Sequence, residues 1–480
     1  MSILTNRKLT RREILKLISY GAVGAALTAC GSKATEELTS VATEANGQEA
    51  GDEPAATVDP NLPTPEPTAA INAYGSGDKP VVLWHGLTGT DGAVFATLLQ
   101  KYAEANPEQG VRSEAYTWDV FFQKFPTAVA AGTPPDLAIF HAAEVQQMAS
   151  QGLMQPMDAV FTAAGIPLDD FSKPVLDACT VDGKVMAVPF DNHGWTNWIN
   201  TKVVKDAGLD PSNLPKNGDE FIEWGKKIVV DEAGKHPDED GFNPDKIKIW
   251  AHWFTWPRYS MVTTWLQYGG GAFDPTTNKA TLNTPASVAA VQYWYDMMYK
   301  HFICPPALPG VPWAGDVYIT DSLALMWEGT WTKGLMNDHP DIAEHTICVP
   351  INSLAPDGKM AQKIDAHIFC IPTGVAQEGI DRAAKLVKYL SDNGAAWANS
   401  GQVPARLSVQ KDPIVQDLWS VKASAEAFEK YGKTDFPHKA FIEIQTVWET
   451  AVGAALAKTT PVQQALDEGN AQIQAILDRA

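Results

Sequence analysis

The sequence predicts an α/β protein of two lobes, with the chain passing between them more than once. Three observations lead there. At 480 residues the chain exceeds what one hydrophobic core organises, so two domains are expected. Strand-like apolar runs alternate with helix-like ones. Finally, an apolar strand over Val185–Val188 stops at Pro189, which has no N–H to give a ladder, and a polar, aromatic run begins at once with Phe190, Asp191, His193, Trp195 and Trp198. We read residues 184–202 as a crossover between lobes. Flat apolar faces beside hydrogen-bonding groups suit a cleft for uncharged polyols.

In chain order, Lys79–Trp84 reads as a buried strand, and His85 to Gly92 as a glycine-rich loop. A helix follows, with Phe95, Leu98, Leu99 and Tyr102 on one face and Thr90 or Asp91 as its cap. A strand, loop and helix N-terminus present free N–H groups at a cleft edge, which makes Trp84, His85, Thr88, Thr90 and Asp91 candidates. Trp118 precedes another helix-like run. Leu137–Phe140 is a strand, and ligands of open α/β sheets bind beyond strand carboxyl ends, so His141 and Glu144 are candidates. Glu144 suits a solvated first helical turn equally well. Asp191, His193 and Trp195 belong to the crossover.

Phe221, Trp224, Ile228 and Val229 mark a helix, and 231–246 a charged loop. Trp250, Trp253, Trp256 and Trp265 then crowd together; most suit a core and one or two a stacking surface, with Trp253 the candidate. Thr284-Pro285 caps a helix whose buried face is Val291, Trp294, Tyr295 and Met298. Asp321–Trp331 reads as a strand ending in Trp327, Glu328, Gly329 and Trp331, with both tryptophans and Gly329 as candidates. Asp365-Ala366-His367 leads into Ile368–Ile371 and Pro372, a second crossing with His367 at its start. Residues 381–390 are helical. Gly401–Arg406 forms the third crossing, where Arg406 either donates to ligand hydroxyls or pairs with a surface carboxylate. The last helix begins at Thr460-Pro461 and buries Val462, Ala465, Leu466, Ile473, Ile476 and Leu477.

A formal charge of −20 argues against nucleic acid or anionic lipid as a partner, since both need a Lys/Arg surplus. Residues 10–16, Thr-Arg-Arg-Glu-Ile-Leu-Lys, resemble a twin-arginine export signal, and the apolar run 17–29 is too short for a permanent span. Residues 27–30, Leu-Thr-Ala-Cys, look like a lipobox with Cys30 acylated, so 1–29 is expected to be a signal peptide. Its loss, with a net +4, takes the mature chain to −24. Residues 30–77, poor in aromatics, are expected to form a flexible tether. Cys179, Cys304, Cys348 and Cys370 allow three pairings or none. Neither CxxC nor HExxH occurs, and no metal or cofactor is expected. The GxSxG elbow is absent too, which removes a serine hydrolase.

The order of motifs resembles extracellular solute-binding proteins of ABC sugar importers, the group that includes maltose- and glycerol-3-phosphate-binding proteins, over roughly 78–480. It rests on Trp84-His85-Gly86, Gly132-Thr133-Pro134-Pro135-Asp136, Val188-Pro189-Phe190-Asp191, Trp327-Glu328-Gly329-Thr330-Trp331 and Gly401-Gln402-Val403-Pro404-Ala405-Arg406. The resemblance implies a type II periplasmic-binding-protein-like fold with three crossings. Its first lobe would be 78–188 plus 366–402 and its second 189–365 plus 403–480. It also implies ligand contacts within His85–Asp91, Asp191–Trp195 and Trp327–Trp331, an ABC permease as partner, a monomer, and no covalent chemistry. A secreted glycoside hydrolase is the rival reading and needs two carboxylates flanking one bond. A phosphorylated polyol is the alternative ligand.

Overall fold

The computed structural model describes residues 70–480. The leader, Cys30 and the tether up to residue 69 lie outside the described residues. Strand β1 (Ala70–Tyr74) falls inside the stretch expected as tether, and it pairs antiparallel with β3 (Val111–Ala115). The free edge of β3 supplies the hydrogen-bond partners, a tertiary cause that composition does not reveal.

The first six-stranded sheet runs β1, β3, β2 (Val81–His85), β4 (Leu137–His141), then a late strand, His367–Cys370, and β5 (Val188–Pro189). Helix α1 (Thr90–Ala105) buries Phe95, Leu98, Leu99 and Tyr102 against it, the face read from the sequence. Its N-cap is Gly89 with no side-chain cap bond, so neither Thr90 nor Asp91 caps it. Helix α2 (Trp118–Ala130) buries Phe121 and Phe125.

At Pro189 the chain leaves this sheet. After one residue it becomes β6 (Asp191–Asn200), a ten-residue strand buried throughout. The polar aromatic run is thus a strand, where the sequence reading ended the ladder at Pro189. The physical reason is a second ladder: β6 is the spine of the second sheet. It pairs antiparallel with β7 (Leu325–Gly329), β8 (Thr346–Val349), β9 (Gln362–Asp365) and, in two residues, Val403–Pro404. Strand β9 ends at Asp365 and β10 (His367–Cys370) re-enters the first sheet beside β4 and β5. Two crossings therefore occur at 189–191 and 365–367. The third lies at β11 (Val403–Pro404), where Ala405 N–H donates to Phe190 O.

Helix α3 (Gly218–Ile228), α4 (Pro257–Tyr268), α5 (Pro285–Tyr299), α6 (Phe441–Leu456) and α7 (Val462–Arg479) enclose the second core, with Trp195, Trp265, Trp294 and Trp327 inside it. Thr284 Oγ1 accepts from Ser287 N–H, the cap its sequence promised. Val415, Val421 and Phe428, from the stretch expected in the second lobe, share a cluster with Tyr116, Phe121 and Phe140. Cys179, Cys304, Cys348 and Cys370 are buried free thiols. Among the described residues no helix is long and apolar enough to cross a membrane.

Candidate functional site

Side chains alternate along a strand, so Asp191, His193 and Trp195 leave β6 on one face. Across from them stand His141, at the end of β4, and His367, at the start of β10, which are register partners. The ring centroids of His193 and His367 lie 4.4 Å apart, and those of His141 and His367 5.3 Å. Trp118 packs on both, 4.2 Å from His141 and stacked at 5.9 Å on His367. Its indole occupies the space a Cβ on residue 86 would need, so only glycine fits there.

Asp191 has no exposed surface and collects four donors. They are His193 Nδ1 at 3.0 Å, His367 Nδ1 at 2.8 Å, His367 N at 3.0 Å and Trp397 Nε1 at 2.8 Å. Burial alone would raise its pKa, but the charge of His367 and these hydrogen bonds hold it below the ordinary carboxylate value. For His367 burial pulls the pKa down and Asp191 more than restores it, leaving it raised. His141 and His193 are both lowered, by burial first and neighbouring cations second.

Beside the histidines, Arg258 bridges Glu144 at 3.0 Å and Asp365 at 3.1 Å. Burial opposes its charge, but those carboxylates outweigh the penalty and raise its pKa. Lys363 is held by Asp435 at 2.5 Å and lies over the Tyr259 ring at 5.0 Å. Glu144 is therefore a buried bridge and not a solvated first-turn acid.

The aromatic half of the site centres on Trp331. Its ring lies 5.6 Å from Trp195, 6.2 Å from Trp256, 6.2 Å from Tyr259 and 6.3 Å from His193. Gly329 is required beneath it, because a Cβ there would meet the Trp331 ring at 2.3 Å. From the first residue of α1, Thr90 Oγ1 donates to Trp331 O at 3.3 Å, which joins two segments the sequence singled out. Glu328, fully buried, accepts Trp256 Nε1 at 2.9 Å, Trp313 Nε1 at 2.8 Å and Gly329 N at 3.1 Å. Its pKa is pushed up to about 7 by burial, against those donors.

The structure thus gathers Trp118, His141, Glu144, Asp191, His193, Trp195, Gly329, Trp331 and His367, with Thr90 at the rim. Thr88 is exposed on the loop before α1, and Asp91, in the first turn of that helix, is buried, its pKa raised by burial. Others lie apart. His85 Nδ1 accepts from Leu87 N–H and its Nε2 pairs with Ser113 Oγ, and burial lowers its pKa to about 3. Trp84 packs against Tyr116 in the core. Trp253 belongs to a core cluster with Trp198 and Met326. Trp327, fully buried, packs against His252 and Trp294 and donates to Asn352 Oδ1. Arg406 pairs with Asp170 at 2.7 Å and Asp392 at 2.8 Å, the surface-carboxylate alternative.

Sequence reasoning missed Trp256, Trp313, Tyr259 and Arg258. One signal pointed to the first: Pro257 at N1 makes residue 256 a helix N-cap and so a loop residue. Trp256 is 53% exposed with φ +41°, a backbone state that costs energy for a bulky residue and clusters at binding sites.

The family model of bacterial extracellular solute-binding proteins matches residues 86–397. An arabinooligosaccharide-binding protein from Halalkalibacterium halodurans is 23% identical over 371 residues, 73% of this chain and 76% of its own. The sn-glycerol-3-phosphate-binding periplasmic protein of Salmonella typhimurium is 26% identical over 232 residues, 46% of this chain and 50% of its own. Among solved structures, maltose-bound T. maritima MalE3 superposes with a TM-score of 0.72 at 21% identity, covering 83% of this chain and 99% of its own. That likeness places the fold among the type II periplasmic-binding-protein-like structures.

Proposed function

Because the chain belongs to the bacterial extracellular solute-binding proteins, we infer that it captures a carbohydrate and delivers it to the permease subunits of an ABC importer. The ligand class is a neutral mono- or oligosaccharide. One observation carries this: Trp331, ringed by Trp195, Trp256, Tyr259 and His193, with Trp256 and Trp313 held in place by Glu328. A sugar ring offers an apolar face to such a surface and hydroxyls to its rim, where Thr90 stands, with Thr88 exposed two residues before it.

The committed state of the charges supports a neutral ligand. Arg258 and Lys363 are already spent on Glu144, Asp365 and Asp435, which leaves neither cation free for a phosphate. The buried carboxylates are held as well, Asp191 by two histidines and Glu328 by two indoles, whereas a glycosidase needs one acid free to give a proton and another to attack or activate water. The lobes 78–188 plus 366–402 and 189–365 plus 403–480 would close on sugar and gain affinity only from contacts made by both. The lipid on Cys30 and the stretch to residue 69 would hold the monomeric binding body at the outer membrane face.

Tryptophan fluorescence of the purified chain, titrated with neutral mono- and oligosaccharides and with glycerol 3-phosphate, tests the reading. Saturable change with a neutral sugar and no released reducing ends is the expected result. Response to glycerol 3-phosphate alone, or product formation, would overturn it.

A further inference from the structure

His141, His193 and His367 each bring one ring nitrogen within 4.8 Å of the other two. No motif joins them in sequence; the fold does. His141 and His367 are partners across the first sheet, while His193 belongs to the second, so the trio straddles two crossings. All three are buried, where an imidazole nitrogen without a partner is costly. Asp191 takes the Nδ1–H of both His193 and His367, which leaves Nε2 of each ring as the metal-facing nitrogen, His367 releasing its Nε2 proton as an ion binds. His141 Nδ1 is buried without a hydrogen bond among the described residues; it faces Glu144 Oε2 at 3.6 Å, beyond hydrogen-bond reach, and that oxygen is without a hydrogen bond as well. A carboxylate behind an imidazole fixes its tautomer, orients the ring and raises the basicity of the far nitrogen, as behind metal-bound histidines.

We propose that His141, His193 and His367 form a binding site for a divalent, nitrogen-preferring transition-metal ion, represented by Zn2+, with its fourth position open to the cleft. Three imidazoles with one open place are a known zinc set, whereas Mg2+ and Ca2+ demand oxygen ligands. Tetrahedral Zn–N bonds of about 2.0–2.1 Å set the nitrogens about 3.4 Å apart. One nitrogen of each ring already lies within 4.8 Å of the other two, so closing on an ion asks a movement of about 1 Å or a ring rotation from each imidazole. Arg258 and Lys363, the fixed cations that act on His141, are paired with Glu144, Asp365 and Asp435, which offsets their repulsion of the ion. An ion held from both sheets ties them across the crossings and favours the arrangement in which they stand together.

The purified full chain, stripped with EDTA, is dialysed against ZnCl2 and its metal counted by elemental analysis; CoCl2 is then substituted and followed by visible absorption. One ion per chain is expected, with the intense visible band of tetrahedral Co2+. Asp191→Asn should weaken zinc affinity by about 10–100-fold. His141→Gln, which breaks no hydrogen bond to Asp191, should abolish stoichiometric binding while the metal-free chain still unfolds in a single cooperative transition. Sub-stoichiometric zinc in the wild type, or unchanged binding in His141→Gln and His193→Gln, would overturn the site. Carbohydrate titrations with and without EDTA separate the two readings. Sugar binding without zinc binding sinks only the metal site, and zinc binding without sugar binding sinks only the carbohydrate reading.

Discussion

Trp256 donates its indole N–H to Glu328 Oε1 at 2.9 Å, from a side chain that is otherwise half exposed. A buried acid thus positions an aromatic face that water can reach. The pKa of Glu328 is raised to about 7 by burial, above the ordinary carboxylate value. The folded state therefore holds the proton more tightly than the unfolded chain, so this group's stabilisation is complete below about pH 4.5 and lost as pH rises through about 7. The full difference amounts to about 3 kcal/mol. Glu328→Gln should remove that slope. Urea unfolding of wild type and variant at pH 5 and pH 7.5 checks it, and an identical pH dependence in both would remove Glu328 from the account.

Asp191→Asn should be severe for stability. The carboxylate accepts four donors in a fully buried place, and an amide would set its own N–H groups against some of them. Removing one partner of such a buried pair costs about 3–5 kcal/mol. Denaturant midpoints measure it, and a loss under 1 kcal/mol would mean the rings are held by packing alone.

Trp327→Ala should strongly destabilise the protein without touching its ligand. Trp327 sits among His252 and Trp294, so the change opens a cavity worth about 3–5 kcal/mol. Calorimetric titration of the fraction that remains folded should give the wild-type Kd, and a raised Kd would return Trp327 to the cleft.

Arg406→Ala should cost about 1 kcal/mol or less, because its ion pairs with Asp170 and Asp392 are partly exposed. Affinity should not change. A large affinity loss would place the third crossing in the site.

Much of this was legible in the sequence, for identifiable reasons. Helix faces such as Phe95, Leu98, Leu99 and Tyr102 repeat at short spacing, and Pro189 announces its crossing chemically. Trp327 and Trp331 could not be told apart, because four residues separate a core indole from a cleft one and only the pleat of β7 and the turn after Gly329 decide which is which. The charged bridge from Arg258 to Glu144 and Asp365 left no local pattern, since its members meet only when the two sheets are in place. The three histidines were each chosen as single hydrogen-bonding groups; their convergence depends on the register of β4, β6, β9 and β10, which spacing does not encode.

The central claim is that the Trp331 surface holds a sugar. Calorimetric titration of the wild type and Trp331→Ala with the sugar that alters tryptophan fluorescence tests it most directly. The account predicts saturable binding by the wild type and a loss of about 1–3 kcal/mol in the variant, as for a buried aromatic hot spot, with its melting temperature little changed. Equal Kd values for the two proteins would contradict it.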